Sequence, residues 1–185
     1  MTTNHPDPGF WSAAGPLHGD LRAAVEQVYE PCGFRCSPPV AEPESADYGA
    51  HAFTLDGRAV RFRTGRTTPT KPGQFVTVWQ RSPDGPIRPF EAGDGIDLVV
   101  VSTRDGGRFG QFVLPWEVLR ERGVVAGPGT DGKRGFRVYP PWAVTANRQA
   151  RGSQAWQLEH FLPIGTDGTG AGPTDLARAR TLYRG

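Results

Sequence analysis

The stretch that most constrains the fold is residues 96–103, which is nearly continuous in β-branched side chains and has the charged Asp97 near its start. A strand of this composition has no polar face to offer to water, so it belongs inside a sheet that is covered on both sides. The chain has 185 residues, enough to bury such a core within one domain. We therefore predict a sheet with this strand at its centre.

Changes in hydrophobic period locate the other elements. Apolar residues recur every three or four positions over residues 17–30, which predicts an amphipathic helix that ends at Pro31. Residues 51–55 and 58–63 alternate and flank Asp56-Gly57, a strong hairpin signal because glycine accepts a positive φ. Thr145 is expected to cap a final helix that runs to about His160. Further strands are predicted at residues 75–80, 109–114 and 134–139, and a short helix at residues 116–122.

Together these elements predict an α+β domain built on one central mixed sheet flanked by helices. We assign residues 17–164 to this domain. Residues 1–16 are rich in proline and glycine and are predicted to be a flexible N-terminal segment, and residues 165–185 a loosely ordered tail. No apolar run approaches the roughly 20 residues of a membrane span, and the N-terminus lacks a signal peptide. We therefore expect a cytoplasmic protein without membrane contact.

The two cysteines, Cys32 and Cys36, have the spacing of half a metal site. The four histidines are scattered along the chain, so no second pair of ligands completes that site. Two reduced structural thiols are the preferred interpretation.

Charge is distributed unevenly along the chain. Residues 1–57 contain two basic and eight acidic side chains, whereas residues 58–88 contain seven basic ones against Asp84 alone. Residues 133–151 add five basic side chains and no acid. Segregation of this kind is typical of a phosphate-binding face, because attraction to a polyanion depends on the local potential. The alternative is a solvated surface on which acidic and basic segments pair across the fold.

Lysine is rare in this chain, since 19 of its 21 basic residues are arginine and only Lys71 and Lys133 are lysine. A lysine is a compact point charge that arginine does not replace at every site. The two lysines are therefore candidate functional residues.

The basic segments interleave cations with aromatic and hydroxyl side chains, a combination that grips a phosphate backbone. Ser153 and Gln154 are further candidates for neutral phosphate contacts. Nucleic acid is the expected partner. The predicted nucleic-acid-binding residues are Arg61, Arg63, Arg66, Thr68, Thr70, Lys71, Lys133, Arg134, Arg137, Arg148 and Arg151.

A second set of residues suits metal-dependent chemistry. Carboxylates on neighbouring strands hold Mg²⁺ or Mn²⁺, and an adjacent lysine stabilises developing charge. Asp97, Gln111 and Lys71 are the catalytic candidates, and Asp97 with Glu44 the metal ligands. A three-residue turn before the strand at 109–114 would place Gln111 opposite Val101 on the face of Asp97. A two-residue turn would place it opposite Val100 on the other face.

Several segments of the chain resemble the MepB family of small bacterial proteins, over about residues 17–164. The most specific is the run Lys-Arg-Gly-Phe-Arg-Val-Tyr-Pro-Pro-Trp at residues 133–142. The others are residues 48–53, 62–63, 68–77, 95–97 and 109–112.

This resemblance implies a single cytoplasmic domain similar in fold to type II restriction endonucleases, with DNA as the ligand. The usual nuclease pattern of Asp or Glu, any residue, then Lys is replaced here by Gln111-Phe112-Val113. Val113 supplies no cation, so Lys71 would have to substitute for the missing lysine.

Three functions remain open at this point. The first is a nucleic-acid-binding protein whose nuclease site is altered or inactive. The second is an active Mg²⁺-dependent nuclease that uses Asp97, Gln111 and Lys71. The third is a module that binds a small anion or a protein partner through residues 68–73.

Overall fold

The computed structural model describes residues 15–165 and 173–185. The helices of this part are α1 Gly19–Ala24, α2 Glu30–Cys32, α3 Trp116–Glu121, α4 Arg148–Leu158 and α5 Leu176–Arg184. A π-helical turn, Val25–Tyr29, joins α1 to α2, and 3-10 turns lie at Pro43–Tyr48 and Ala92–Asp94. The strands are β1 Val40–Ala41, β2 His51–Leu55, β3 Arg58–Thr64, β4 Arg66–Thr68, β5 Lys71–Thr77, β6 Trp79–Arg81, β7 Ile87–Pro89, β8 Leu98–Asp105, β9 Arg108–Pro115, β10 Gly135–Val138 and β11 Phe161–Pro163.

The central sheet has the strand order β1-β2-β3-β8-β9-β11. It is mixed, because β3 pairs with β8 in parallel while the other neighbours are antiparallel. The first six residues of β8 are buried, which confirms the prediction of a central strand covered on both faces. The predicted hairpin of β2 and β3 is also confirmed, with positive φ at Asp56 and Gly57.

Not all strands belong to this sheet, and the prediction of a single sheet is wrong in that respect. Strand β5 pairs with β4 and β10 in a separate three-stranded sheet, and β6 pairs with β7. The three-stranded sheet packs on one face of the central sheet, where Val76 and Val138 share a core with Val99, Val101 and other apolar residues. The sequence pattern of a short apolar strand predicts that it is buried, but it does not predict the sheet in which the strand pairs.

Helices cover the other face of the central sheet. Leu21 and Val28 of the N-terminal helical segment pack with Phe62, Val100 and residues of α5 in a second core. The prediction that Pro31 ends the helical segment is wrong. Proline is tolerated in the first turn of a helix, and Pro31 lies in the first turn of α2. The segment instead ends at Gly33, whose φ is +72°.

The C-terminal residues are the main correction to the predicted domain limits. Helix α5 lies within the predicted loose tail, yet Ala179 and Tyr183 are buried. The Tyr183 hydroxyl donates to Gln111 Oε1 at 2.7 Å and lies 3.1 Å from the hydroxyl of Tyr29. Burial raises the pKa of both tyrosines. The predicted flexible N-terminal segment falls almost entirely on residues 1–14, which lie outside the described residues, as do residues 166–172.

The two cysteines are free thiols on the helical side of the molecule. Cys32 is part of the core, and Cys36 packs against it. Burial raises the pKa of Cys36 to about 12, with smaller contributions from Asp56 and Glu30. Both positions therefore suit structural thiols. No helix in the described part of the chain has the length and apolar character needed to cross a membrane.

Candidate nucleic-acid interface

The arginines of β3 do not form the predicted basic face. Arg63 is fully buried, and its guanidinium donates from Nη1 to Glu42 and to the Phe62 carbonyl while lying over the Phe90 ring. Burial lowers the pKa of Arg63, and the neighbouring Glu42 opposes this effect. Arg63 is therefore a core cation, because the three-stranded sheet of β4, β5 and β10 covers the face of β3 on which it lies.

Two further predicted contact residues are paired with acids from the first third of the chain. Arg61 Nε lies 3.4 Å from Glu42. Arg66 lies 3.8 Å from Asp47, with its guanidinium over the ring of Tyr48. For these side chains the structure supports the alternative of charge pairing across the fold.

Three of the remaining predicted cations, Lys71, Lys133 and Arg137, lie together at a different place, which we call the basic cleft. It lies between helix α4 and the β5–β10 side of the three-stranded sheet, and its volume is about 610 Å³. Four cationic side chains are among its described lining residues, none of which is acidic: Lys71, Arg122, Lys133 and Arg137. No ion pair to a carboxylate of the described chain neutralises these four cations. The cleft is therefore a region of positive potential.

Polar and aromatic groups complete the walls of the basic cleft. Helix α4 contributes Asn147, Gln149 and Ser153, so its N-terminal turn faces the cleft with its positive dipole end. Asn147 caps this helix by accepting from the Ala150 amide at 2.8 Å. The predicted cap, Thr145, instead bonds Gln154. Trp156 also lines the cleft, with the Arg122 guanidinium 5.3 Å from its ring centre.

Two glutamine side chains hold α4 against the β10 segment. Gln157 is buried and donates to the Arg137 carbonyl at 2.9 Å while accepting from the Tyr139 amide at 2.8 Å, so it continues the hydrogen-bond ladder of the strand edge. Gln154 donates to the carbonyls of Pro140 and Ala143. These bonds set the width of the cleft because they join its two walls directly.

The loop between β4 and β5 brings Lys71 to the opposite rim. Arg137 holds this loop by donating to Thr68 Oγ1 at 2.6 Å and to the Pro72 carbonyl at 3.3 Å. Gly73 has a φ of +72°, and a Cβ atom there would lie 2.6 Å from Tyr139 and from the Val138 carbonyl. Only glycine fits this close approach of β5 to β10.

Sequence and structure agree on part of this site. Of the predicted residues, Thr70, Lys71, Lys133 and Arg137 line the cleft, and Thr68 supports it through Arg137. Arg134, Arg148 and Arg151 are exposed nearby in sequence but do not line it. Ser153 lines the cleft, whereas Gln154 is structural. Reasoning from the sequence missed Arg122, Asn147, Gln149 and Gln157, for which the sequence shows no motif.

The candidate catalytic residues are not brought together. Asp97 is exposed before β8, and its carboxylate accepts from the Ala59 amide. Gln111 is buried on the helical side, where it donates to Ser102 and accepts from Tyr183. The two-residue turn of the second alternative is confirmed, and Gln111 lies on the face of Val100 as that turn predicts, but its partner is Ser102 and not Val100. Lys71 is exposed in the basic cleft.

The predicted ligands of Mg²⁺ or Mn²⁺ lie in different segments of the chain, and Asp97 precedes β8. Glu44 lies in the 3-10 turn beside β5 and β6, where its charge acts on Arg63. Within the described residues, no group of three or more His, Cys, Asp or Glu side chains is arranged to hold a metal ion.

Comparison with known proteins identifies relatives of this chain. The sequence profile of a family described as MepB-like matches residues 42–163, a range that includes all the cleft-lining residues. A solved structure described as the crystal structure of MepB superposes with a TM-score of 0.67 at 30% sequence identity, covering 71% of this chain and 89% of that chain. A search of curated proteins found no match.

Proposed function

The chain belongs to the MepB-like family, and from that premise and the charge of its cleft we propose that it binds nucleic acid through the basic cleft without cleaving it. The observation that carries this proposal is the set of four unneutralised cations around one cavity. The resemblance of the sequence to this family favours DNA over RNA. It also favours a restriction-endonuclease type of fold built on a central mixed sheet.

The geometry of the cleft suits a phosphate backbone. Its cations come from the first residue of β5, from β10 and the loop before it, and from the C-cap of α3, so they lie on different sides of the cavity. A polymer with regularly spaced phosphates contacts several of them at once. The amides of the α4 N-terminus and the side chains of Asn147 and Ser153 add neutral donors of the kind that position phosphate oxygens.

Binding without cleavage follows from where the catalytic candidates lie. Hydrolysis of a phosphodiester requires its acid, base and charge-stabilising groups within reach of one phosphorus atom. Asp97 is exposed before β8, Gln111 is buried on the helical side of the central sheet, and Lys71 lies in the basic cleft. Phosphate binding needs only the cations and donors of the cleft.

We expect binding of a fluorescent single-stranded oligonucleotide to weaken steeply with salt. Each neutralised phosphate of a single strand contributes about 0.7 to the slope of log K against log salt. Four contacts therefore predict a slope of about −3 in a polarisation titration between 50 and 200 mM salt. A slope near zero would contradict the proposal, because electrostatic contacts would then be absent.

The same preparation distinguishes binding from hydrolysis. Supercoiled plasmid incubated with Mg²⁺ or Mn²⁺ should stay intact while it is retarded in a gel. Nicking by the wild-type protein that disappears in Asp97→Ala would overturn the proposal of binding alone and support an active nuclease.

A further inference from the structure

A smaller cavity adjoins the basic cleft, and we call it the side cavity. Its volume is about 280 Å³. Lys71 and Pro72 line both cavities, so this segment forms the rib between them. A ligand held by Lys71 on one side of the rib is therefore within reach of the other side.

The side cavity differs from the basic cleft in chemistry. Its far wall is apolar and consists of Pro140, Trp142, Ala143 and Val144. Lys71 and Asp105 are the charged residues among its described lining, and the carboxylate of Asp105 is paired with Arg108. Such a cavity suits a flat, uncharged group more than a second phosphate.

Two features of the apolar wall indicate a contact surface. The side chain of Val144 is 83% exposed, and among the described residues only Val40 is a comparably exposed large hydrophobic residue. Trp142 is held in place by edge contact with Phe161 at 5.8 Å, and the Arg108 guanidinium lies over its ring at 5.5 Å. A half-buried indole beside an exposed valine is a surface on which a nucleobase can stack.

The pairing of these two cavities restricts the form of nucleic acid that fits. In a duplex the bases are stacked and paired between two backbones, so a base enters a protein cavity only after it is extruded. In a single strand the base is free to turn away while its phosphate stays in contact with protein. The rib places the cation of Lys71 directly beside a cavity that has one apolar wall and enough volume to admit one planar ring system.

We propose that the protein recognises single-stranded nucleic acid, with phosphates in the basic cleft and one unpaired base in the side cavity. This inference rests on the proposed function and names its substrate class. Contact with the base is sequence-tolerant, because every base presents an apolar face.

The test compares three probes of one length: a labelled 12-nucleotide single strand, its duplex, and a strand of abasic residues with the same phosphates. Stacking predicts at least fivefold tighter binding of the single strand than of the abasic strand. It also predicts weaker binding of the duplex, although charge density alone favours the duplex. Equal or tighter binding of the duplex and the abasic strand would overturn the inference but leave the proposed function intact. Failure of all three probes to bind would contradict both the inference and the proposed function.

Variants then locate the base contact. Trp142→Ala should weaken binding of the single strand about fivefold and leave binding of the abasic strand within twofold. Val144→Ala should weaken binding of the single strand two- to threefold. Because Val144 is exposed, this variant should fold normally and replaces Trp142→Ala if that protein is unstable. Val40→Ala is the matched control and should have no effect. Equal losses on the single and abasic strands would show that the side cavity binds no base and would overturn the inference.

Discussion

Lys71→Ala combined with Lys133→Ala is expected to lower the affinity for a single-stranded oligonucleotide about 100-fold at 50 mM salt. Both side chains line the basic cleft and lack a partner carboxylate in the described chain. A hydrogen bond to a charged group contributes roughly 1.5 kcal/mol, which is about tenfold in affinity for each lysine. The slope of log K against log salt should fall in magnitude by about 1.4, since two phosphate contacts are lost. Fluorescence polarisation at several salt concentrations measures both quantities.

The matched control is Arg22→Ala combined with Arg81→Ala. These two arginines are exposed and lie outside the cleft, on α1 and β6. Their removal changes the net charge of +2 by the same amount as removal of the two lysines. A nonspecific effect of net charge would weaken binding equally in both double variants. If the basic cleft binds the oligonucleotide, the affinity of the control variant should stay within about threefold of that of the wild type.

Glu42→Gln is expected to destabilise the fold by about 3–5 kcal/mol, because it leaves the charge of Arg63 buried and uncompensated. Arg63 is 0% exposed, and Glu42 is its carboxylate partner. Two of the guanidinium nitrogens, Nε and Nη2, already have no hydrogen-bond partner, so the Phe62 carbonyl is the one described acceptor that remains when the carboxylate is removed. Urea unfolding monitored by circular dichroism gives the free energy of unfolding.

Two comparisons separate this effect from a general loss of charge. Asp47→Asn removes an 87% exposed carboxylate from Arg66 and should leave the unfolding midpoint almost unchanged. Replacement of both partners, Glu42→Leu with Arg63→Met, removes the unpaired charge and should recover most of the stability lost in Glu42→Gln. A double variant that is less stable than Glu42→Gln would show that the ion pair itself, and not its uncompensated charge, determines the loss.

The parts of the fold that sequence reasoning predicted are those determined locally. The β-branched content of β8 required burial on both faces, and Asp56-Gly57 required a two-residue turn. Lys71 and Lys133 were singled out because lysine is rare in this chain, and the structure places both in one cleft. In each case the chemistry of one or a few neighbouring residues carried the prediction.

The parts that sequence reasoning missed depend on contacts between distant segments. Alternation places Arg61 and Arg63 on one face of β3, but whether that face meets water depends on a second sheet built from residues farther along the chain. Tyr183 looked like part of a loose tail because its bond to Gln111 spans 72 residues. Arg122 reaches the cleft beside Trp156 of α4, a contact between residues 34 positions apart in the chain.

Backbone amide chemical shifts, recorded while a single-stranded oligonucleotide is titrated into the protein, show whether the basic cleft is the binding site. We expect the largest shifts on residues of the basic cleft, including Lys71, Gly135, Arg137 and the α4 N-terminus at residues 147–153. The amides of α1 and α5, on the far side of the central sheet, should stay unchanged. Saturable shifts that cluster on α1 and α5, or the absence of any saturable shift at low salt, would contradict binding in the basic cleft.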